Sequence, residues 1–312
     1  MRVAAERILR AAPVLEPEHH EWEAFAARFP WTETDDQAAA IADVAEDLAA
    51  GRPMDRLVVG DVGFGKTEVA LRATAAAALA GKQVIVSAPT TVLARQHFET
   101  FQRRFAGTDV VVAQLSRLVD SKEAKAVKAG LASGEITVAV GTHALGADDV
   151  TLAMPGLVII DEEQRFGAAM KDKLRAKAPH LLSLTATPIP RTLQGALVGI
   201  QDVSVIASPP ARRRPIRTFL TPFDAASVRT ALLREKARGG QSFVVVPRIE
   251  DLEPMQARLA EIAGSSASAP PTASCRRKRR TRSWSASRTA RATCCWRPTS
   301  SKAVWTCHAP TP

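Results

Sequence analysis

The chain has 312 residues, enough to bury at least one large core and to divide into two domains. Its formal charge of +10 would point to a polyanionic partner, yet ten Lys and Arg and no Asp or Glu follow Gly264, so residues 1–264 balance and the excess is silent about the folded part. That body has no cysteine, no apolar run of bilayer length and no secretory core at its start, which excludes a disulfide scaffold and a membrane span and reads as a soluble, cytoplasmic protein.

Residues 1–30 carry apolar side chains at helical spacing, interrupted by Pro13 and Pro17, and predict short helices that act as a linker rather than a domain. From Asp35 onward, amphipathic stretches of helix length alternate with short β-branched runs, the pattern of a parallel sheet flanked by helices. The predicted strands are RLVV (56–59), QVIVSA (83–88), DVVVA (109–113), ITVAV (136–140), LVII (157–160) and LLSLT (181–185), within an α/β domain over residues 31–208. After PPARRRP (209–215) come a predicted strand IRTFL (216–220), a helix over 224–238, a strand SFVVV (242–246) and a helix from about Asp251. These read as the incomplete start of a second α/β domain over residues 209–264.

Five short motifs each fall just after a predicted strand, where open α/β sheets place their ligands. In GDVGFGKT (60–67), Gly60, Gly63 and Gly65 let the backbone curl so that its N–H groups surround phosphate oxygens; Lys66 then reaches the β- and γ-phosphates and Thr67 ligates Mg²⁺. In DEEQ (161–164), after the apolar strand LVII, Asp161 holds Mg²⁺ through its water shell and Glu162 polarises the attacking water. Taken alone, the same string reads better as an acidic helix start stabilised by the dipole; its place after an apolar strand, 95 residues beyond Lys66, reverses the preference in favour of the catalytic reading.

Gln37, in FPWTETDDQ (29–37), offers a donor and an acceptor to the edge of adenine, with Phe29 or Trp31 stacking on its face; the alternative is a surface glutamine and two core aromatics. Arg95, Gln96 and His97 in PTTVLARQH (89–97), with Thr142 and His143 in GTHAL (141–145), are each ordinary surface or packed residues when taken singly. Together, along one sheet edge, they favour a track for a DNA backbone. In TATPIPRT (185–192) the two threonines suit a sensor of the γ-phosphate state, while the prolines end a strand and start a helix.

The five motifs in this order resemble superfamily 2 helicases. FPWTETDDQ, RPMDRLVVGDVGFGKTEVALRA, DEEQRFG and TATPIPRTL resemble the bacterial transcription-repair coupling factors (Mfd) almost residue for residue, over roughly residues 24–263. The RecG branch-migration helicases share GDVGxGKT, GTHAL and TATPIPRT but read DEQH where this chain has DEEQ. The resemblance implies two RecA-like P-loop domains that clamp ATP, walk on double-stranded DNA, push a stalled RNA polymerase and recruit excision-repair proteins. It carries ATP roles onto Lys66, Thr67, Asp161, Glu162 and Gln37, and DNA or coupling roles onto Arg95, Thr142, Thr185 and Arg191. In that family the modules for polymerase and repair proteins lie ahead of the segment matching residue 1, and the second motor domain supplies arginines that residues 209–264 do not reach.

Residues 265–312 read as a basic, low-complexity tail without ordered structure. Read one frame over, synonymous codons allow Ser283 onward to become MVRFADGEGDVLLATNIVEGGLDMPRANT and residues 269–278 to become AAHGQLPAEE, both of which resemble the missing second motor domain. A frameshift near residues 262–266 accounts for this. Cys275, Cys294, Cys295, Cys307 and RRKRR (276–280) are then its by-products and neither a zinc site nor a nuclear signal. Three functions follow: an ATP-driven DNA translocase of the coupling-factor type, a RecG-like helicase, or a non-catalytic ATP- or DNA-binding fragment that lacks the far side of its cleft.

Overall fold

The computed structural model describes residues 10–186, 201–211, 216–246, 248–263 and 306–308. The chain divides into two compact units, Met1–Arg213 and Arg214–Pro312.

In the first unit, strands β1 (Asp55–Gly60), β2 (Gln83–Ser87), β3 (Val112–Leu115), β4 (Val138–Gly141), β5 (Pro155–Asp161), β6 (His180–Thr185) and β7 (Asp202–Ile206) form one sheet. Their order is β3-β4-β2-β5-β6-β1-β7, and every pairing is parallel. Parallel pairing requires a crossover between successive strands. The crossovers include helices α3 (Lys66–Leu79), α4 (Thr91–Arg104), α5 (Ser121–Ser133) and α6 (Ala168–Arg175), while α1 (His19–Ala26) and α2 (Asp35–Ala49) precede β1. The strands are apolar on both faces because both are covered. Val58, Val86, Val140, Ile159 and Leu182 pack with α2, α3 and α4, whereas Ile85, Ala139, Val158 and Ile160 pack with Leu131 of α5 and Leu174 of α6. Helix α3 is buried almost all round; its run of alanines lets it lie close against the sheet.

Several expectations need correction. The described part of the 1–30 linker is packed into this unit: Leu15 and Phe25 enter the main core, and Ala12 and Leu15 donate their N–H groups to the carbonyls of Gly51 and Leu48 at 2.9 Å. Its apolar residues are drawn in because the α2–α3 face would otherwise be left open. Strand β7 was not expected; it pairs with β1 and gives the sheet a seventh member. The third strand runs from Val112 to Leu115 rather than 109–113, because its partner β4 begins at Val138.

In the second unit, residues 216–220 have no regular structure, contrary to the expected strand, and Phe219 and Leu220 are exposed. A strand needs a neighbour for its N–H and C=O groups, and none of the described strands pairs with these residues. Helix α7 (Ala225–Ala237) forms where expected, with Asp224 as its N-cap, accepting from the N–H of Ser227 at 2.8 Å. Strand β8 is confined to Gln241–Phe243, and helix α8 spans Leu252–Ala263. Apart from Thr306–His308, the tail lies outside the described residues; those three form β9, antiparallel to β8, where no structure was expected. Ladder bonds use backbone groups, so so short a pairing needs little from the side chains.

Candidate nucleotide site and nucleic-acid edge

Register fixes the site. Asp161 pairs with Leu184, and Thr185 with Val59, so Gly60, Asp161 and Thr185 end β1, β5 and β6 at one level of the sheet. Between β1 and α3 the chain turns through Gly63 and Gly65, whose φ values of 80° and 85° lie in the left-handed region open to glycine. At Gly65 a Cβ would also stand 2.3 Å from Nε2 of Gln37. Gly60 is different from expectation: it closes β1 opposite Ile206 and takes no part in the curl. The first turn of α3 leaves N–H groups with no partner inside the helix, and with the dipole they form an anion site.

Lys66, the first residue of α3, is buried, and its ammonium donates to the carbonyls of Gly60 and, at 3.0 Å, of Asp61. Burial lowers its pKa from the ordinary lysine value, while Asp161, Glu162 and Asp61 oppose the shift. To meet a phosphate, the side chain must leave the two carbonyls that now hold it. Thr67 follows, half buried, beside this turn.

Gln37 is 3% exposed. Its side-chain carbonyl accepts from the N–H of Thr34 at 3.0 Å, closing a capping box at the start of α2, and its amide donates to the carbonyl of Phe64 at 2.8 Å. In this arrangement the amide braces the phosphate loop instead of presenting an edge to a base. Trp31 is 61% exposed and is not a core residue; Phe29 is half buried beneath the Arg104 guanidinium, 5.6 Å from its ring centre.

Asp161 accepts the N–H of Glu162 on Oδ1 at 2.9 Å and lies 2.7 Å from Nε2 of His97 through Oδ2. Glu162 holds φ 52° and ψ 49°, the one positive φ outside glycine among the described residues. Its carboxylate accepts from the Gln164 amide, whose carbonyl in turn accepts the Thr185 hydroxyl at 2.8 Å. Glu162 is thereby connected to the end of β6. The link was not read from the sequence, although DEEQ and TATPIPRT were both singled out.

Along the same edge, Arg95 is exposed on α4 and ion-paired with Glu99 at 2.9 Å. Thr142 is buried, and its hydroxyl has no hydrogen-bond partner. His143 is exposed in a short 3₁₀ turn after β4, with Nε2 3.2 Å from a guanidinium nitrogen of Arg117, a basic residue the motifs did not include. His97 departs from the expected DNA track: it is 9% exposed and turned inward to Asp161. Arg191 lies outside the described residues.

Hard oxygen donors from Thr67 and Asp161 beside a phosphate loop suit magnesium. Among the described residues no three His, Cys, Asp or Glu side chains come together as a metal cage. A separate cavity of about 490 Å³, lined by Leu57, Ile160, Lys171 and Arg175, opens on the sheet face away from α3 and belongs to neither site. No helix among the described residues is long and apolar enough to cross a membrane.

The sequence pattern of DEAD/DEAH box helicases matches residues 34–195. A transcription-repair-coupling factor from Rickettsia bellii is 47% identical over 268 residues, covering 84% of this chain and 24% of that protein. The corresponding protein of Escherichia coli is 43% identical over 83% of this chain and 23% of its own length. The chain thus spans about a quarter of the length of these curated relatives. A solved structure of RecG bound to a three-way DNA junction is 35% identical, with a TM-score of 0.71 over 84% of this chain and 36% of that one. The parallel sheet flanked by helices is therefore that of a RecA-like helicase domain, and the chain belongs to the DEAD/DEAH box helicase family.

Proposed function

We propose that residues 31–208 are the first motor domain of an ATP-dependent double-stranded DNA translocase of the transcription-repair coupling type. Residues 209–264 then begin the second domain, and 265–312 are a frameshifted continuation. The observation that carries this reading is the convergence of Lys66, Asp161 and Glu162 on one sheet edge, with Glu162 joined to Thr185 through Gln164. The names of the similar curated proteins support the DNA-repair assignment. RNA polymerase and excision-repair proteins are then partners of the longer protein.

Each residue has a stated task. The first turn of α3 binds the phosphates and Lys66 neutralises them once it has left the Gly60 and Asp61 carbonyls. Thr67 and Asp161 would hold magnesium, which when bound neutralises phosphate charge. Glu162 orients the attacking water, and Gln164 with Thr185 reads the position of Glu162. Gln37 keeps the loop in shape and touches adenine only if its amide turns outward. Arg95, exposed on α4, faces the DNA backbone, while buried Thr142, with Thr185 and Arg191, is a coupling candidate.

The test is nucleotide binding by the 312-residue chain, followed with a fluorescent ATP analogue. Lys66→Ala is expected to weaken it at least tenfold, as removal of a charge-assisted phosphate contact does. Restoring the second domain by correcting the frame should add hydrolysis stimulated by double-stranded DNA. A restored protein that hydrolyses ATP at one rate with and without DNA would refute the translocase reading. Stimulation confined to forked DNA would favour the RecG-like reading, which the solved RecG complex recommends.

A further inference from the structure

Helix α4 reaches the sheet edge with two residues of opposite aspect. Arg95 and His97 are two positions apart, and at 3.6 residues per turn they stand about 200° apart round the helix. Arg95 is exposed, while His97 is 9% exposed and faces Asp161. The His97 ring packs edge-on against Phe101, with centroids 6.3 Å apart and planes at 90°, and Phe101 is fully buried in the main core. The imidazole is therefore fixed by packing before it meets the carboxylate.

Among the described residues, Asp161 has two other constraints on its direction: its place at the end of β5, and the Glu162 N–H on Oδ1. Oδ2 is set by His97 at 2.7 Å. An ionised carboxylate can only accept, so Nε2 carries the proton in this contact, and each carboxylate oxygen keeps a further lone pair. The pair taken by His97 leaves the remaining acceptor sites for groups on the Lys66 side, where the negative charge of Asp161 is already felt. Partners of this kind, one step removed from a metal, orient the ligating group and raise its affinity.

We propose that His97 is a positioning residue: it holds the Asp161 carboxylate in the direction that receives magnesium, and it makes that direction depend on where helix α4 lies. The helix that carries Arg95 toward a nucleic-acid backbone is then rigidly joined to the magnesium carboxylate, without passing through the 161–164 turn. This inference rests on the ATP-magnesium reading of the site given above.

The experiment measures the affinity of the 312-residue protein for a fluorescent ATP analogue across a magnesium series and in EDTA. His97→Leu keeps an apolar side chain against Phe101 and removes the donor; His97→Gln keeps a donor near the position of Nε2. The leucine variant is expected to need roughly tenfold more magnesium for half-maximal affinity, the lower end of the effect of such partners. Glutamine should return the midpoint to near wild type, and the three proteins should bind alike in EDTA. A leucine variant with the wild-type magnesium midpoint would overturn the proposal. So would an equal loss with and without magnesium, which marks a packing role alone. Wild-type binding that ignores magnesium would instead remove the ATP-magnesium reading, and this inference with it.

Discussion

Glu162 occupies a conformation that costs a residue with a Cβ about 1 kcal/mol or more. The strain is held by bonds on both sides: its N–H to Asp161 Oδ1, and its carboxylate to Gln164. Glu162→Gly should therefore raise unfolding stability by up to about 1 kcal/mol, read as a higher melting temperature, while Glu162→Gln, which keeps the strain, should not. His180 makes a pH-dependent contribution of its own. Fully buried at the start of β6, it accepts the Met54 N–H on Nδ1 at 3.2 Å and donates from Nε2 to the Pro13 carbonyl at 2.9 Å. Burial holds its pKa below the usual histidine value, with the Pro13 bond and Asp47 opposing. The unfolded chain thus binds the proton more readily, so stability from His180 is present above about pH 6.5 and is lost as pH falls below it. Melting between about pH 7.5 and 5.5 should decline in the wild type and be flatter, though lower overall, in His180→Gln.

At the scale of elements, α1 is fastened to α3 and α4 by buried charge. Glu68 accepts from Arg72 at 2.8 Å and from Arg104 at 2.9 Å, and Arg72 also pairs with Glu33. The two guanidinium groups lie over the rings of Trp22, Phe25 and Phe29. Glu68→Ala would leave buried Arg104 without its carboxylate and Arg72 with Glu33 alone, and is expected to cost about 3–5 kcal/mol, measurable by denaturant unfolding; Glu68→Gln should cost less. Nothing in the periodicity of residues 1–30 announced this anchorage, because Glu68 and Arg104 lie in other elements. The six strands and the loop before α3 were legible since β-branched runs and glycine spacing are local signals. Strand β7 was missed because Asp202–Ile206 carries polar Asp202 and Ser204, and Ser204 is used for bonds to Arg56 and Asp43 that only the fold supplies. The contact of His97 with Asp161 spans 64 residues and exists because β2 and β5 are neighbours. A sequence shows each partner but not the strand order.

At the scale of the molecule, the charge and the fold belong to different segments. The first unit, Met1–Arg213, contains the sheet, both apolar clusters and the phosphate loop. The excess of ten basic residues lies wholly after Gly264. Binding of the full chain to DNA would then say little about the first unit, because a basic segment without acidic residues attracts any polyanion and releases counterions as it does so. A protein ending at Arg213 separates the two contributions. It should melt with the transition of the first unit and bind the ATP analogue as the full chain does, since no residue of the nucleotide site is lost. Its DNA affinity should fall less steeply with salt than that of the full chain, by about 0.9 in logarithmic slope for each phosphate the tail neutralises. Equal slopes for the two proteins would place the DNA contacts in the first unit, on the edge that carries Arg95, Arg117 and His143. A truncated protein that no longer melts cooperatively would instead mean that residues after Arg213 complete the fold of the first unit.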